Sequence, residues 1–167
     1  MTGQPRRIAI GSDERTPLTD AVVESLRKRG LRLELYGALT TDDPAWPSVA
    51  RKVAERVASG GCDEGVLFCW TGTGVSMAAN KVAGARAALC TDADTAQGAR
   101  KWNDANILCM GLRLTSRAVA EEVLDAWLST APDESERANI DTLKAMDRVP
   151  LGALQEARRE SADSPHG

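Results

Sequence analysis

The chain alternates short apolar runs with longer segments in which apolar residues recur at helical spacing. Each run holds about four to six residues and is closed by glycine or by polar residues, as buried strands are. Five such runs occur along the chain: RRIAIGSDE, LRLELYG, GVLFC, ARAALC and NILCMG. Strands that alternate with helices form a parallel sheet covered on both faces. The pattern therefore predicts a single α/β domain, a doubly wound five-stranded parallel sheet of the Rossmann-like kind.

The first helix is the clearest of those between the strands. Thr16 precedes Pro17, a favoured pair for a helix N-cap and first turn, and Gly30 follows the last apolar position. The apolar face of this helix consists of Leu18, Val22, Val23 and Leu26. Further helices are predicted from about Pro47 to Gly60, within GVSMAANKV, within DADTAQGARKWND, after a cap at Thr115 or Ser116, and from about Asp133 to Asp147.

Length and composition limit the classes of function. The 167 residues suit one domain, which we place at 1–149, and a polar tail at 150–167 that is disordered or packs on a partner chain. The net charge of -3 and the lack of a basic block interleaved with aromatics argue against nucleic acid. No apolar run approaches the roughly 20 residues of a membrane span, and the N-terminus resembles no secretory signal. We therefore expect a cytoplasmic protein without membrane contact.

The four cysteines do not have metal-ligand spacing. The chain lacks a CxxC motif, and its only histidine, His166, lies in the polar tail, so we expect no metal. Cys90 and Cys109 end or interrupt apolar runs and are best interpreted as small buried hydrophobes. Cys62 lies in a predicted loop and has no assigned role.

The predicted topology gives a place for a ligand. In open parallel sheets, ligands bind beyond the carboxyl ends of the strands where the strand order reverses. For the order 2-1-3-4-5, this point lies between strands 1 and 3. The sequence there reads SDER and CWTGTG, which brings Asp13 and Glu14 close to Cys69 and Trp70.

The TGTG turn after strand 3 has two interpretations. Gly72 and Gly74 permit positive φ angles and close backbone approach, so their amides could form a nest for a negative oxygen. A simple tight turn between strand and helix explains the same glycines. Cys69 is either core filler or, as a thiolate near a helix start, a general base. Trp70 either packs or lines a pocket.

These residues belong to longer stretches that resemble a known family. From about Ile8 to about Asp147 the chain is similar to type B ribose-5-phosphate isomerases and to galactose-6-phosphate isomerase subunits. The stretches that carry the resemblance are IAIGSD, AWPSVA, GVLFCWTGTGVSMAANKVAGARA, WNDANILCMG, LR at 112–113 and DAW in the last long helix. The resemblance implies metal-free and cofactor-free interconversion of aldose and ketose phosphates. It also implies a homodimer or homotetramer whose active sites are shared between subunits.

The resemblance also assigns roles to individual positions. Cys69 falls on the catalytic cysteine and Thr71 on a threonine linked to ring opening and proton handling. Asp13 falls on an acid that contacts substrate hydroxyls, and Asn103 on an asparagine that helps hold the developing oxyanion. The remaining implied substrate contacts are the loop residues Gly72, Thr73 and Gly74, and Arg113, which falls on an arginine that touches phosphate in some members.

The chain departs from the family pattern at several of these places. Glu14 and Trp102 stand where the family usually has histidine, Trp70 stands where it has glycine, and Trp46 stands where it often has tyrosine. The two phosphate-clamping arginines of the last helix are replaced by DESERANID, in which Arg137 is out of register. An acid in place of a histidine would repel phosphate, and indoles would narrow the pocket while offering sugars a face for stacking.

The function expected from this combination is an aldose–ketose isomerase of a pentose or tetrose phosphate. It would move a proton between C1 and C2 through an enediolate, with Cys69 as the base. One alternative is the same chemistry on a sugar without phosphate, because the phosphate-binding residues have changed. Another is a non-catalytic sugar-binding relative.

Overall fold

A computed structural model of the protein describes residues 5–148, so the predicted polar tail lies outside the described residues. The strands are β1 (Arg7–Ser12), β2 (Arg32–Gly37), β3 (Glu64–Cys69), β4 (Ala87–Leu89) and β5 (Ile107–Gly111). The helices are α1 (Pro17–Lys28), α2 (Trp46–Ala58), α3 (Thr73–Ala79), α4 (Ala93–Asn103), α5 (Arg117–Ser129) and α6 (Arg137–Ala145). Short 3-10 turns at Glu134–Glu136 and Met146–Arg148 flank α6.

Local capping signals fix several helix starts. Thr16 caps α1 as predicted, and its side chain accepts from the Thr19 N–H while the Thr19 hydroxyl accepts from the Thr16 N–H. Ser116, rather than Thr115, caps α5 by accepting from the Val119 N–H. Each cap satisfies a backbone donor that the first helical turn leaves without a partner.

All strand pairs are parallel, but the order of the sheet is β2-β1-β3-β5-β4. The predicted order, with strand 4 beside strand 3, is wrong. β5 has four fully buried residues, whereas β4 has only three residues and none of them is fully buried. The longer and more apolar strand therefore takes the inner position, and the short alanine-rich strand forms the edge.

The order of the strands in the sheet decides which face each helix covers. Helices α1, α4 and α5 pack on one face, where Leu26, Leu124 and Trp127 join Ile10 and Phe68 in one core cluster. Helices α2 and α3 pack on the other face. Val49 and Val53 of α2 and Val75 and Ala79 of α3 belong to a second core cluster there. This distribution is what right-handed crossovers require when the chain first moves left to β2 and then right to β3 and β4.

The cysteines are all free and buried. Burial raises the pKa of Cys90 to about 12 and raises that of Cys109 further, which confirms both as unreactive core residues. Cys62, placed in a loop by the sequence, is also buried, at 1% exposure. Burial raises the pKa of the Cys62 thiol, and the nearby charge of Glu34 adds to that effect.

The exposed edge of β4 is covered by one side chain. The amide of Asn80 donates to the Ala87 carbonyl and accepts from the Ala87 N–H, both at 2.8 Å. The side chain thus imitates a neighbouring strand and satisfies an edge residue that could otherwise pair with another chain. Asn80 lies in the GTGVSMAANK stretch, and this contact gives a structural reason for its presence there.

Within residues 5–148, no helix combines the length and the apolar character needed to cross a membrane.

Candidate active site

The carboxyl ends of β1 and β3 place Asp13 beside Cys69. Ser12 pairs with Phe68 in the parallel register, so Asp13 and Cys69 are the next residues along the two chains. Ile10 and Phe68 face α1 and α5, and side chains alternate along a strand. Cys69 projects toward the face covered by α2 and α3, and Asp13 directly follows the last residue of the neighbouring strand β1. This placement agrees with the prediction from topology.

Asp13 is a half-buried carboxylate without a full set of partners. Within residues 5–148, nothing accepts from or donates to its buried Oδ1 atom. Burial raises the pKa of Asp13, and the negative charge of Glu14 contributes in the same direction. Glu14 itself is exposed. The Asp13 carboxyl group is therefore free to meet a ligand and is easier to protonate than an ordinary aspartate.

A residue that the sequence analysis missed holds this acidic turn in place. Ser12 is fully buried, and its hydroxyl donates to the Glu14 carbonyl at 2.6 Å and accepts from the Glu14 N–H at 3.2 Å. The turn that presents Asp13 is thus fixed by its own preceding residue. A serine directly before two acids at a strand end is the signal that could have indicated it.

Cys69 is 6% exposed and belongs to the apolar cluster under α2 and α3. Its neighbours in that cluster include Val75 at the start of α3 and Cys109 on β5. The thiol is accordingly shielded by hydrocarbon in a single chain.

The turn after Cys69 is locked to the end of β5 by backbone contacts. Gly72 has φ +77°, and a Cβ atom there would lie 2.9 Å from the Met110 carbonyl carbon and 3.0 Å from the Gly111 nitrogen. A Cβ atom on Gly111 would lie 2.8 Å from the Thr71 carbonyl oxygen. No side chain fits at either position, so both glycines are required by close backbone approach.

Two hydrogen bonds extend the same contact. The Leu112 N–H donates to the Cys69 carbonyl at 2.9 Å, and the Arg113 N–H donates to the Trp70 carbonyl at 3.0 Å. Arg113 is consequently brought next to the turn. The resemblance implied this neighbour, but the predicted strand order did not, because it placed β4 between the two segments.

Trp46 reaches the turn from the start of α2. Its ring carbon Cε3 lies 3.2 Å from the position that a Gly74 Cβ would occupy, so the indole packs flat against the glycine. The indole remains 42% exposed beside the turn. Nearby, the hydroxyl groups of Thr71 and Thr73 are hydrogen-bonded to each other at 2.7 Å.

A cavity of about 120 Å³ opens on the β5 side of the turn. It is lined by Trp70, Thr71, Thr91, Gly111, Arg113, Leu114 and Thr115. Trp70 is 56% exposed and forms part of its rim. Leu114 and Thr115 were not predicted, because the wrong strand order separated their loop from the turn. Thr91 follows β4, which the predicted order placed beside β3, and it was not singled out in the sequence. The fully apolar run ILCM was the available signal that β5 belongs inside the sheet.

The other predicted site residues lie at the opposite end of the sheet. Asn103 is the last residue of α4, just before the chain enters β5 at its amino end, and Trp102 beside it is 54% exposed. Arg137 begins α6 at that end and is paired with Glu134 at 2.9 Å. One chain therefore brings Asp13, Cys69, Thr71 and the glycine turn together but does not bring Trp102, Asn103 or Arg137 to them.

Within the described part of the chain, no group of three or more His, Cys, Asp or Glu side chains is arranged to hold a metal ion.

The model of the Ribose/Galactose Isomerase family matches residues 8–143, which span nearly all of the described structure. The chain belongs to this family. Membership in the ribose/galactose isomerase family makes it an aldose–ketose isomerase, and the resemblance inferred from its motifs is confirmed.

Individual members of the family are similar over most of their length. Ribose-5-phosphate isomerase B of Escherichia coli is 39% identical over 74% of this chain and 83% of its own. The D-erythrulose-4-phosphate isomerase of Pectobacterium atrosepticum is 38% identical over 72% of this chain and 81% of its own. The solved type B ribose 5-phosphate isomerase of Trypanosoma cruzi superimposes with a TM-score of 0.80 at 35% identity, covering 87% of this chain and 98% of the other.

The turn geometry predicts a large difference between two glycine substitutions at similar φ. Gly30 has φ +78° with nothing within 4 Å of the place that a Cβ atom would occupy, so Gly30→Ala should cost only the left-handed strain of about 1–2 kcal/mol. Gly72→Ala has the same strain and must also move the backbone at 110–111, which should add about 1–3 kcal/mol or more. Denaturant unfolding of the two variants measures the difference. Equal losses of stability would show that the close approach at Gly72 is not a real constraint.

Proposed function

We propose that the protein interconverts the aldose and ketose forms of a short sugar phosphate, with Cys69 as the base and with each active site completed by a second copy. The observation that carries the proposal is the placement of Asp13 and Cys69 at the adjacent carboxyl ends of β1 and β3, beside the glycine turn. A thiol, a carboxyl group and backbone amides at the same strand ends supply the groups that enolisation requires.

The proton transfer can be written with all atoms accounted for. The Cys69 thiolate removes the proton from C2 of the open-chain aldose. The electron pair of that C–H bond forms the C1–C2 double bond, and the former carbonyl oxygen at C1 becomes negative. The thiol then returns a proton to C1, while the hydroxyl proton on O2 is transferred to O1, which leaves the ketone at C2.

The negative oxygen of the enediolate needs donors aimed at it. The turn at 71–74 presents backbone amides beside Cys69, and Gly72 has the left-handed conformation that points successive amides into one concavity. The coupled hydroxyls of Thr71 and Thr73 lie at the same turn and can pass a proton between the two oxygens. These groups support the assignment of the turn to the reacting end of the sugar.

A cyclic substrate must open before it can enolise, and this step needs a proton donor. No histidine lies within residues 5–148, because the only one in the sequence is His166. Asp13 has an unpaired buried oxygen and a raised pKa, which suit it to hold and deliver a proton. We therefore assign ring opening to Asp13 rather than to the exposed Glu14.

The shared site follows from where Asn103 lies. Asn103, Trp102 and Arg137 can act on a substrate held by Cys69 only if they come from another chain. In a two-fold dimer, the Cys69 end of each copy meets the Asn103 end of its partner, so that two equivalent sites form. The exposed indoles Trp70 and Trp102 support this arrangement, because large exposed aromatic side chains mark contact surfaces.

The phosphate group would be held on the β5 side of the turn. Arg113 faces the cavity there together with hydroxyl groups from Thr71, Thr91 and Thr115. A guanidinium group with several hydroxyl donors is a suitable site for a phosphate dianion. Glu14 and the Glu134-bound Arg137 favour a second candidate, the same reaction on a sugar without phosphate, because they weaken anion binding at the family's usual positions.

Replacement of the thiol tests the base directly. Cys69→Ala should lower the exchange of solvent deuterium into C1 or C2 of a pentose or tetrose phosphate by about 10²–10⁴-fold, the usual contribution of a general base. Cys90→Ala is the matched control, because Cys90 is buried under the opposite face and should leave the exchange rate unchanged. Exchange is followed by proton NMR with phosphorylated and free sugars. Wild-type protein that exchanges with free sugars alone would favour the second candidate, and no exchange with any sugar would indicate a non-catalytic binding protein.

Two substrates separate ring opening from proton transfer. A tetrose 4-phosphate cannot close a five-membered ring, because O4 carries the phosphate, whereas ribose 5-phosphate is mostly cyclic. Asp13→Asn should therefore lower kcat/KM by roughly 100-fold or more for ribose 5-phosphate, and by much less for erythrose 4-phosphate. Coupled assays on both substrates measure the ratio. Equal losses on the two would contradict the assignment of ring opening to Asp13.

Mixed assemblies test the shared site. Cys69→Ala and Asn103→Ala chains, each nearly inactive alone, should recover about a quarter of wild-type activity when they are co-expressed, because random dimers contain one intact site in four. Cys69→Ala co-expressed with Thr71→Ala is the control and should recover none, since both changes affect the same half of the site. If the mixture of Cys69→Ala and Asn103→Ala chains stays inactive, the sharing of sites between copies is contradicted.

A further inference from the structure

Asn103 is followed by the only non-glycine residue of residues 5–148 that has a positive φ. Asp104 has φ +47° and ψ +42°, the left-handed conformation, which costs most residues energy and which aspartate adopts more readily than others. Its N–H still donates to the Arg100 carbonyl at 3.2 Å, so α4 ends at this residue. The conformation of Asp104 thus determines the direction in which the chain leaves α4 directly after Asn103.

The carboxylate of Asp104 is surrounded by positive charge. Lys144 Nζ lies 2.7 Å from Oδ2, an Arg86 guanidinium nitrogen lies 3.2 Å from the same oxygen, and Arg100 lies 3.8 Å from Oδ1. The Arg86 Nε–H also donates to the Asp104 main-chain carbonyl at 2.7 Å. The side chain of Asp104 is only 21% exposed, so these ion pairs are less screened than pairs at the surface.

The cations come from three different parts of the fold. Arg86 precedes the edge strand β4, Arg100 lies within α4, and Lys144 lies on α6, the helix that begins with Arg137. A further hydrogen bond joins α4 to the 3-10 turn before α6, because the Asp133 N–H donates to the Lys101 carbonyl at 2.8 Å. Asp104 is therefore the point at which the end of α4 is fastened to β4 and to α6.

We propose that Asp104 is a positioning residue, which holds Asn103 in the orientation needed to act on a substrate bound by Cys69 of another copy. This inference rests on the proposed function. Asp104 does not touch the substrate; its ion pairs with three cations anchor the last turn of α4, which carries Asn103, and its left-handed backbone ends the helix directly after that residue. The same contacts hold Arg137 at a constant distance from Asn103, so that one copy presents both to its partner as a rigid unit.

The test is a double-variant cycle read in kcat and KM for whichever sugar phosphate the wild-type protein turns over. Asp104→Ala disfavours the left-handed conformation and removes the carboxylate, and should lower kcat by up to ~100-fold, the effect of misplacing a catalytic group by about 1 Å. Asp104→Asn tolerates the conformation but loses the three ion pairs, so its loss of kcat should lie between that of the wild type and that of Asp104→Ala. Because Asp104 acts through Asn103, the Asn103→Ala/Asp104→Ala double variant should be no slower than Asn103→Ala alone.

Controls distinguish positioning from stability. Asp125 lies on α5, away from Asn103, and is ion-paired with Arg29 at the end of α1. Asp125→Asn removes this acid and should leave kcat unchanged. If Asp104→Ala does not fold, the cycle is run with Lys144→Met, and Lys144→Arg should restore the rate. A wild-type kcat in Asp104→Ala, or in Lys144→Met if that variant is used, would overturn the inference. So would a double variant that is slower than Asn103→Ala by the full factor lost in Asp104→Ala. Wild-type protein without isomerase activity would instead reject the proposed function.

Discussion

The close contact between the turn after β3 and the end of β5 is the constraint on which the site depends. Gly72 and Gly111 lie so near each other's backbone that neither can carry a side chain. The contact fixes the amides that follow Cys69, and it brings Arg113 to the same turn through the bond between the Arg113 N–H and the Trp70 carbonyl. The chain must therefore place β5 next to β3, which makes β4 the edge strand.

The two ends of the sheet are built for different tasks. At the carboxyl ends, Asp13 is left with an unpaired buried oxygen, which is the incomplete bonding expected of a binding site. At the amino ends, most charges are paired: buried Glu64 accepts from the Trp127 indole at 3.0 Å and lies 3.5 Å from Arg100. Within residues 5–148, only the Nε atom of Arg100 at this end is buried without a hydrogen-bond partner. Arg100 connects Glu64 to Asp104, so the rigid end of the sheet extends to the residue that follows Asn103.

Much of the fold could be predicted because its signals are local. Thr16 with Pro17 indicated the start of α1, and five apolar runs indicated five strands. The neighbourhood of Asp13 and Cys69 also followed from topology, because β1 and β3 are adjacent in both the predicted and the observed order. The position of β5 required a comparison of burial between strands, and the error concealed Leu114 and Thr115. The cations around Asp104 could not be predicted from the sequence, because Arg86 and Lys144 lie far from Asp104 along the chain and follow no spacing rule.

The central claim is that one reacting sugar is held between Cys69 of one copy and Asn103 of another. A crystal structure of the assembled protein with a bound enediolate analogue tests this most directly. The account predicts that the Cys69 sulfur and the Asn103 amide of a second copy both lie within hydrogen-bonding reach, roughly 3–3.5 Å, of the analogue. An analogue enclosed by residues of one chain alone, with Asn103 facing solvent, would contradict it.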